Sequence, residues 1–195
     1  MSNAQEWNGV SAPTMYQGIR FRSRLEARWA IFFTELGIEW EFEKEAFDTK
    51  YGYYLPDFFL PSLNKWFIVK GQVLESDERK KVADVCEMTE SVALIACGSI
   101  PIHFKIKNGL PCYYFDLVMP DDNGHQTGDS YYLPCVCPKC EKIDFQYEGR
   151  YERNCGCSEF DGGYDDIPMN IIRVAARRAR GAYWDQQTKQ FLPGE

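Results

Sequence analysis

The 195-residue chain reads as an α/β protein: a mixed sheet flanked by helices, then a small cysteine module, then a last helix. Three observations predict this. Helical and strand periodicities follow one another as helix, strand, strand, strand, helix, strand in the first half of the chain. Five of the eight cysteines crowd between Cys135 and Cys157, whereas Cys86, Cys97 and Cys112 stand isolated among apolar or aromatic neighbours. Charge is also segregated: Pro120 to Asp166 holds 11 acids and 4 bases, and the rest of the chain holds 18 of each. These shifts divide the chain into a core at 14–120, a cysteine module at 131–160 and a C-terminal helix at 166–186 that packs on the core.

The elements follow in order. Arg22 to Leu36 carries Leu25, Trp29, Phe32 and Leu36 at spacings of three and four, one apolar helical stripe. Ser23 is a candidate N-cap with Glu26 three residues later, and Gly37 supplies the stop. Glu39 to Phe47 alternates acids with apolar groups, the pattern of a strand with one wet face. Tyr53 to Leu60 is an aromatic strand that Pro56 must interrupt. Lys65 to Val69 and Ser91 to Ala96 are apolar enough to be buried on both faces. Asp77 to Thr89 is helical with Val82, Val85 and Met88 inward. Further strands are expected at His103 to Ile106 and Tyr113 to Leu117. A Gly/Asp-rich linker covers Asp121 to Ser130, and Pro168 opens a helix that runs to about Trp184.

Composition excludes several classes. No run of about eighteen apolar residues exists, so no ordinary membrane-spanning helix and no membrane partner is expected. The start is polar, without the apolar segment of a secretory signal, and the cysteine usage suits a reducing cytoplasm. The net charge of −7 argues against a tight, non-specific nucleic-acid binder, while a neutral core can still carry a local basic groove. With only His103 and His125, a histidine-dependent hydrolase or a Ser-His-Asp triad is disfavoured. No phosphate-cradling glycine loop occurs.

The most informative stretch is Pro56-Asp57 followed by Trp66 to Gly71. A carboxylate on one strand and a lysine on the next converge at a common sheet end. Phosphodiester hydrolysis uses a divalent cation held by carboxylates and a cation near the attacking water. Asp57 suits the first role and Lys70 the second. Each has an ordinary reading: Asp57 as a turn cap after Pro56, Lys70 as a solvated strand end. Glu26 is equally explained as a capping-box residue. Glu39, Glu41, Glu43 and Glu45 read as a solvated face, with Glu43 or Glu45 in reserve as a metal carboxylate.

In this order, Phe21 to Ala30, Tyr54 to Pro61, Trp66 to Gly71, the cysteine cluster and Ala175 to Arg180 resemble the PD-(D/E)XK nuclease superfamily. The resemblance is close to a phage- and bacteria-borne subgroup with a zinc-ribbon appendage. It implies a restriction-endonuclease-like fold and a metal-dependent nuclease acting on DNA, favoured over RNA, leaving a 5′-phosphate in the host cytoplasm if phage-encoded. Asp57 and Glu26 would hold Mg²⁺ or Mn²⁺. Lys70 would position water, and Gln72 would add a carbonyl oxygen. One position departs from the pattern. The family's strand reads Trp-Val-Glu-Val-Lys, with the Glu as second metal carboxylate, and Ile68 stands there. The alternative is therefore a catalytically inactive relative that binds nucleic acid or a protein partner, as a phage accessory or anti-defence factor would.

Cys137-Pro138-Lys139-Cys140 forms a knuckle, and Cys155-Gly156-Cys157 returns after it. Four thiolates at this spacing suit a closed, structural Zn²⁺ site, with Cys135 as a competing fifth thiol. Such a site adds negative charge to an acidic segment, so the module reads as a fold staple or a protein-contact element. On the last helix, Arg173, Arg177, Arg180 and Trp184 fall within about 60° of one another. Arg20, Arg22, Arg24 and Arg28 form a second basic patch. Arg22, Arg24, Arg173, Arg177 and Arg180 are candidate phosphate contacts, or a solvated face paired with neighbouring acids.

Overall fold

A computed structural model describes residues 14–101, 106–107, 110–111, 115–120, 132–137, 139–147 and 169–195. A short hairpin of β1 (Thr14–Tyr16) and β2 (Ile19–Phe21) leads into α1 (Arg24–Glu35). Then come β3 (Glu41–Phe42), a second hairpin of β4 (Phe47–Thr49) and β5 (Gly52–Tyr54), β6 (Phe58–Leu60) and β7 (Lys65–Lys70). Next are α2 (Ser76–Met88), β8 (Val92–Cys97), the short pair β9 (Ile106–Lys107) and β10 (Leu110–Pro111), and β11 (Asp116–Val118). The chain continues with β12 (Tyr132–Val136), β13 (Ile143–Tyr147), α3 (Met169–Arg180), β14 (Tyr183–Asp185) and β15 (Gln190–Leu192).

The central sheet has five strands in the order β11-β8-β7-β6-β3. Only β7 and β8 run parallel, joined by α2, as a parallel pair requires a crossover. The other pairings are antiparallel, so the sheet is mixed, as predicted.

Strand β7 explains the layering. Successive side chains alternate between faces. Phe67 and Val69 join a cluster with Trp29, Phe32 and Phe33 of α1, Phe58 and Phe115. Trp66 and Ile68 join a second cluster with Val82 and Val85 of α2 and Ile95 of β8. Both faces are therefore covered, which is why this strand reads as continuously apolar. In the first cluster the rings of Trp29 and Phe67 lie 4.9 Å apart and those of Phe33 and Phe67 4.9 Å apart in an edge arrangement, a geometry that adds to area burial.

The cysteine hairpin is attached to the core. Phe145 of β13 is buried in the first cluster, and its ring lies 4.9 Å from that of Phe115. Lys65 Nζ donates to Asp144 Oδ1 at 2.9 Å, with both side chains nearly sealed from solvent. Asp144 also accepts from its neighbour Phe145 N at 2.7 Å and from Gln146 Nε2 at 2.6 Å. A buried charge pair needs these extra bonds to offset its desolvation.

Several elements differ from the sequence reading. The strand expected over Glu39 to Phe47 is broken, because Glu43 adopts a left-handed backbone (φ 47°) and ends β3 after two residues. Pro56 does interrupt the aromatic strand, which splits into β5 and β6. Met88 is exposed on α2 rather than inward. The last helix stops at Arg180. Gly181 N closes onto Arg177 O at 2.8 Å, and Trp184 belongs to the β14–β15 hairpin instead of extending the arginine stripe. The buried face of α3 is Ile172, Ala175, Ala176 and Ala179, while Ile171 is exposed. His103, Cys112, His125, Cys155, Cys157 and the linker at 121–130 lie outside the described residues.

Candidate functional site

The site forms where β6 begins, β7 ends, and α1 and α2 start. Strand register sets its centre. Phe58 pairs with Phe67 and Phe59 with Trp66. Continued by one step, the register sets Asp57 opposite Ile68. Lys70, two residues further along β7, shares the face of Ile68. Asp57 and Lys70 therefore lie on one face at one sheet end.

Asp57 is buried, 4% exposed. Its Oδ2 accepts from Val69 N at 2.7 Å, and its Oδ1 accepts from Arg22 Nη2. Burial pushes the carboxyl up to about 6, Glu26 adds to the rise, and Val69 N, Lys70 and Arg22 oppose it. The turn-cap reading is thus replaced by a tie between β6 and β7.

Glu26 completes a capping box. Ser23 Oγ accepts from Glu26 N at 3.1 Å, and Glu26 Oε2 accepts from Ser23 N at 3.3 Å and from Arg22 N at 2.9 Å. Glu26 Oε1 stands 3.8 Å from Arg22 Nε, and Glu43 Oε1 stands 2.9 Å from the same atom. Arg22, a candidate phosphate contact from sequence, is the cation on which Glu26, Glu43 and Asp57 converge. Lys70 Nζ pairs with Glu78 Oε1 on the first turn of α2. Burial raises the Tyr54 hydroxyl well above the ordinary range, with Asp57 and Glu78 adding to the rise. Gln72 lies exposed in the loop after β7.

Tyr54 and Glu78 are site residues that sequence reasoning missed. Glu78 had a legible signal, since it shares the helical face of Val82 and Val85 at spacings of four and seven and so points at the sheet. Tyr54 had none beyond its place in an aromatic strand.

The donor set does not fit a catalytic Mg²⁺ or Mn²⁺. Such an ion wants several oxygen ligands, with carboxylates foremost. Asp57 has both oxygens engaged, and Glu26 is bound to backbone amides. Ile68, on the same face of β7 as Lys70, is fully buried among hydrocarbons. Among the described residues no group of three or more His, Cys, Asp or Glu side chains is arranged to hold a metal ion.

The cysteine module is placed in part. Cys137 and Cys140 flank the turn of the β12–β13 hairpin. Cys137 N donates to Lys142 O at 2.8 Å and Glu141 N to Cys137 O at 2.8 Å, and Glu141 is left-handed (φ 59°). Cys137 is buried and Cys140 exposed. Cys135 is distinct: its thiol donates to Asp144 O at 3.3 Å, and burial raises it well above the ordinary thiol range.

The arginines fall into separate groups. Arg178 pairs with Glu35 of α1 at 2.6 Å and ties the two helices together. Arg24, Arg177 and Arg180 are exposed, and Arg28 and Arg173 are partly so.

No family model matches the chain, and neither the curated proteins nor the solved structures contain a match. Among the described residues no helix is long and apolar enough to cross a membrane.

Proposed function

We propose that the protein is a nucleic-acid-binding member of the nuclease-like class whose hydrolytic centre is disabled. The observation that carries this is the register of β6 on β7, which, continued by one step, sets Asp57 opposite Ile68. The register sets an apolar, buried side chain directly opposite the one acid that a phosphodiesterase of this type would need to complement. Arg22 supplies the positive charge that Asp57 and Glu43 would otherwise direct at a cation. Binding is attributed to the basic residues around α1 and α3, with DNA favoured over RNA because of the PD-(D/E)XK resemblance. The cysteine module, with Zn²⁺ held by Cys137, Cys140, Cys155 and Cys157, is assigned to stapling the fold and to contact with a protein partner.

The hydrolase reading keeps one observation in its favour: Asp57 and Lys70 lie on one face at one sheet end, close enough for the lysine charge to act on the carboxyl. Weak metal-dependent cleavage is the form it takes. Fluorescence anisotropy with labelled oligonucleotides, followed by electrophoresis of the same samples after incubation with Mn²⁺, separates the two. Retention of intact DNA supports the binding reading. Cleavage that vanishes in Asp57→Ala supports the hydrolase. Absence of any binding by the wild type rejects the nucleic-acid reading altogether.

A further inference from the structure

Arg24 and Arg28 are one turn apart on α1, about 40° from each other around the axis, whereas Glu26 projects about 200° from Arg24. The carboxylate centre therefore takes one side of α1 and this arginine pair the other. Helix α3 packs against α1. Beside Ile172, its buried face is made of the small side chains Ala175, Ala176 and Ala179, which let two helices approach closely. Burial, and the charges of Arg24 and Arg180, pull the Arg28 guanidinium below its ordinary value.

Among the described residues nothing acidic balances the three. Arg24, Arg28 and Arg180 make no ion pair with a carboxylate among the described residues. The contrast with Arg178, engaged by Glu35 and by Gly194 O at 3.2 Å, shows that the helix pair can neutralise an arginine where its structure calls for it. Arg28 Nε is out of contact with solvent and has no hydrogen-bond partner among the described residues. Its guanidinium carbon stands 6.0 Å from the ring centroid of Phe191, which is buried in β15 and holds the group in place. Three guanidiniums brought together without an acid repel one another. They also present a fan of N–H donors matched to phosphate oxygens.

We propose that Arg24, Arg28 and Arg180 form a seat for a backbone phosphate of a nucleic-acid strand, distinct from the Asp57 centre. This rests on the nucleic-acid reading above. Arg24 and Arg180 are exposed, so the seat opens on the surface, which suits a polymer passing over it better than an enclosed small ligand.

The test uses the full chain and the double variant Arg28→Gln/Arg180→Gln. Anisotropy with a labelled oligonucleotide is measured across a salt series. The proposal expects about tenfold weaker binding at moderate salt and a log K against log salt slope shallower by about 1 for the lost phosphate contact. Melting temperature at low salt, without ligand, is expected to hold or rise, because like charges are removed. Unchanged affinity and slope in the double variant overturn the seat while leaving nucleic-acid binding intact. If the wild type binds no oligonucleotide, the broader reading fails, and stabilisation by inorganic phosphate decides the seat. A rise in melting temperature in wild type but not in the variant shows an anion site, and no rise in either overturns it. A fall in melting temperature with unchanged binding makes the arginines structural and also overturns the proposal.

Discussion

Arg22 and Asp57 are bound side chain to side chain across 35 residues of sequence, and this contact fixes the state of the centre. The second oxygen of Asp57 is held by Val69 N. The acid that a hydrolase would present to a cation is thus spent on an arginine and a strand amide.

A pH dependence follows from its burial. The folded-state value of about 6 lies above the ordinary 3.8, so the native state binds the Asp57 proton more tightly than the unfolded chain does. The stability associated with that proton is full below about pH 4 and is lost as pH rises through about 6. A shift of this size corresponds to on the order of 3 kcal/mol. In Asp57→Asn, which keeps an acceptor for Val69 N, the loss is absent. Urea unfolding of both proteins between pH 4 and pH 7 is expected to show the variant gaining on the wild type as pH rises. A variant that loses ground to the wild type as pH rises contradicts the assignment.

The buried pair of Lys65 and Asp144 gives a second prediction. Removing one partner leaves a charge uncompensated in a dry site, so Lys65→Met is expected to cost about 3–5 kcal/mol. The double variant Lys65→Met/Asp144→Leu is expected to recover a large part of this. A denaturant-based double-mutant cycle measures the coupling, and additive losses would show that the pair does not join hairpin and core.

Metal content tests the cysteine module. The zinc reading expects about one Zn²⁺ per chain by elemental analysis, lost in Cys137→Ser and in Cys140→Ser and kept in Cys135→Ser, whose thiol is committed to Asp144 O. Zinc lost in Cys135→Ser would move that residue into the ligand shell.

Much of the fold was legible because local signals and burial agreed. Ser23, Glu26 and the apolar stripe through Trp29 and Phe32 specify α1 and its capping box without help from distant residues. The continuous apolar run of β7 foretold a strand covered on both faces. Glu43 was misread because a charged residue in an alternating pattern gives no sign of a left-handed backbone. Trp184 was misread because helical spacing continues past Gly181, and the closing bond to Arg177 O is a matter of tertiary placement. Asp57 and Lys70 were found as a pair, since adjacent strands must bring them together. What they touch was not legible: Arg22 and Glu78 come from two different helix starts, and only packing aligns those starts with the sheet end.

The central claim is that Ile68 stands where the centre needs a carboxylate. Its most direct test is DNA cleavage in Mn²⁺ by wild type and Ile68→Glu side by side, with circular dichroism confirming that the variant is folded, since it introduces an acid at a fully buried position beside the face of Lys70. The account predicts no cleavage by wild type and metal-dependent cleavage by folded Ile68→Glu that disappears when Lys70→Ala is added. Metal-dependent cleavage by wild type, abolished by Asp57→Ala, would contradict it.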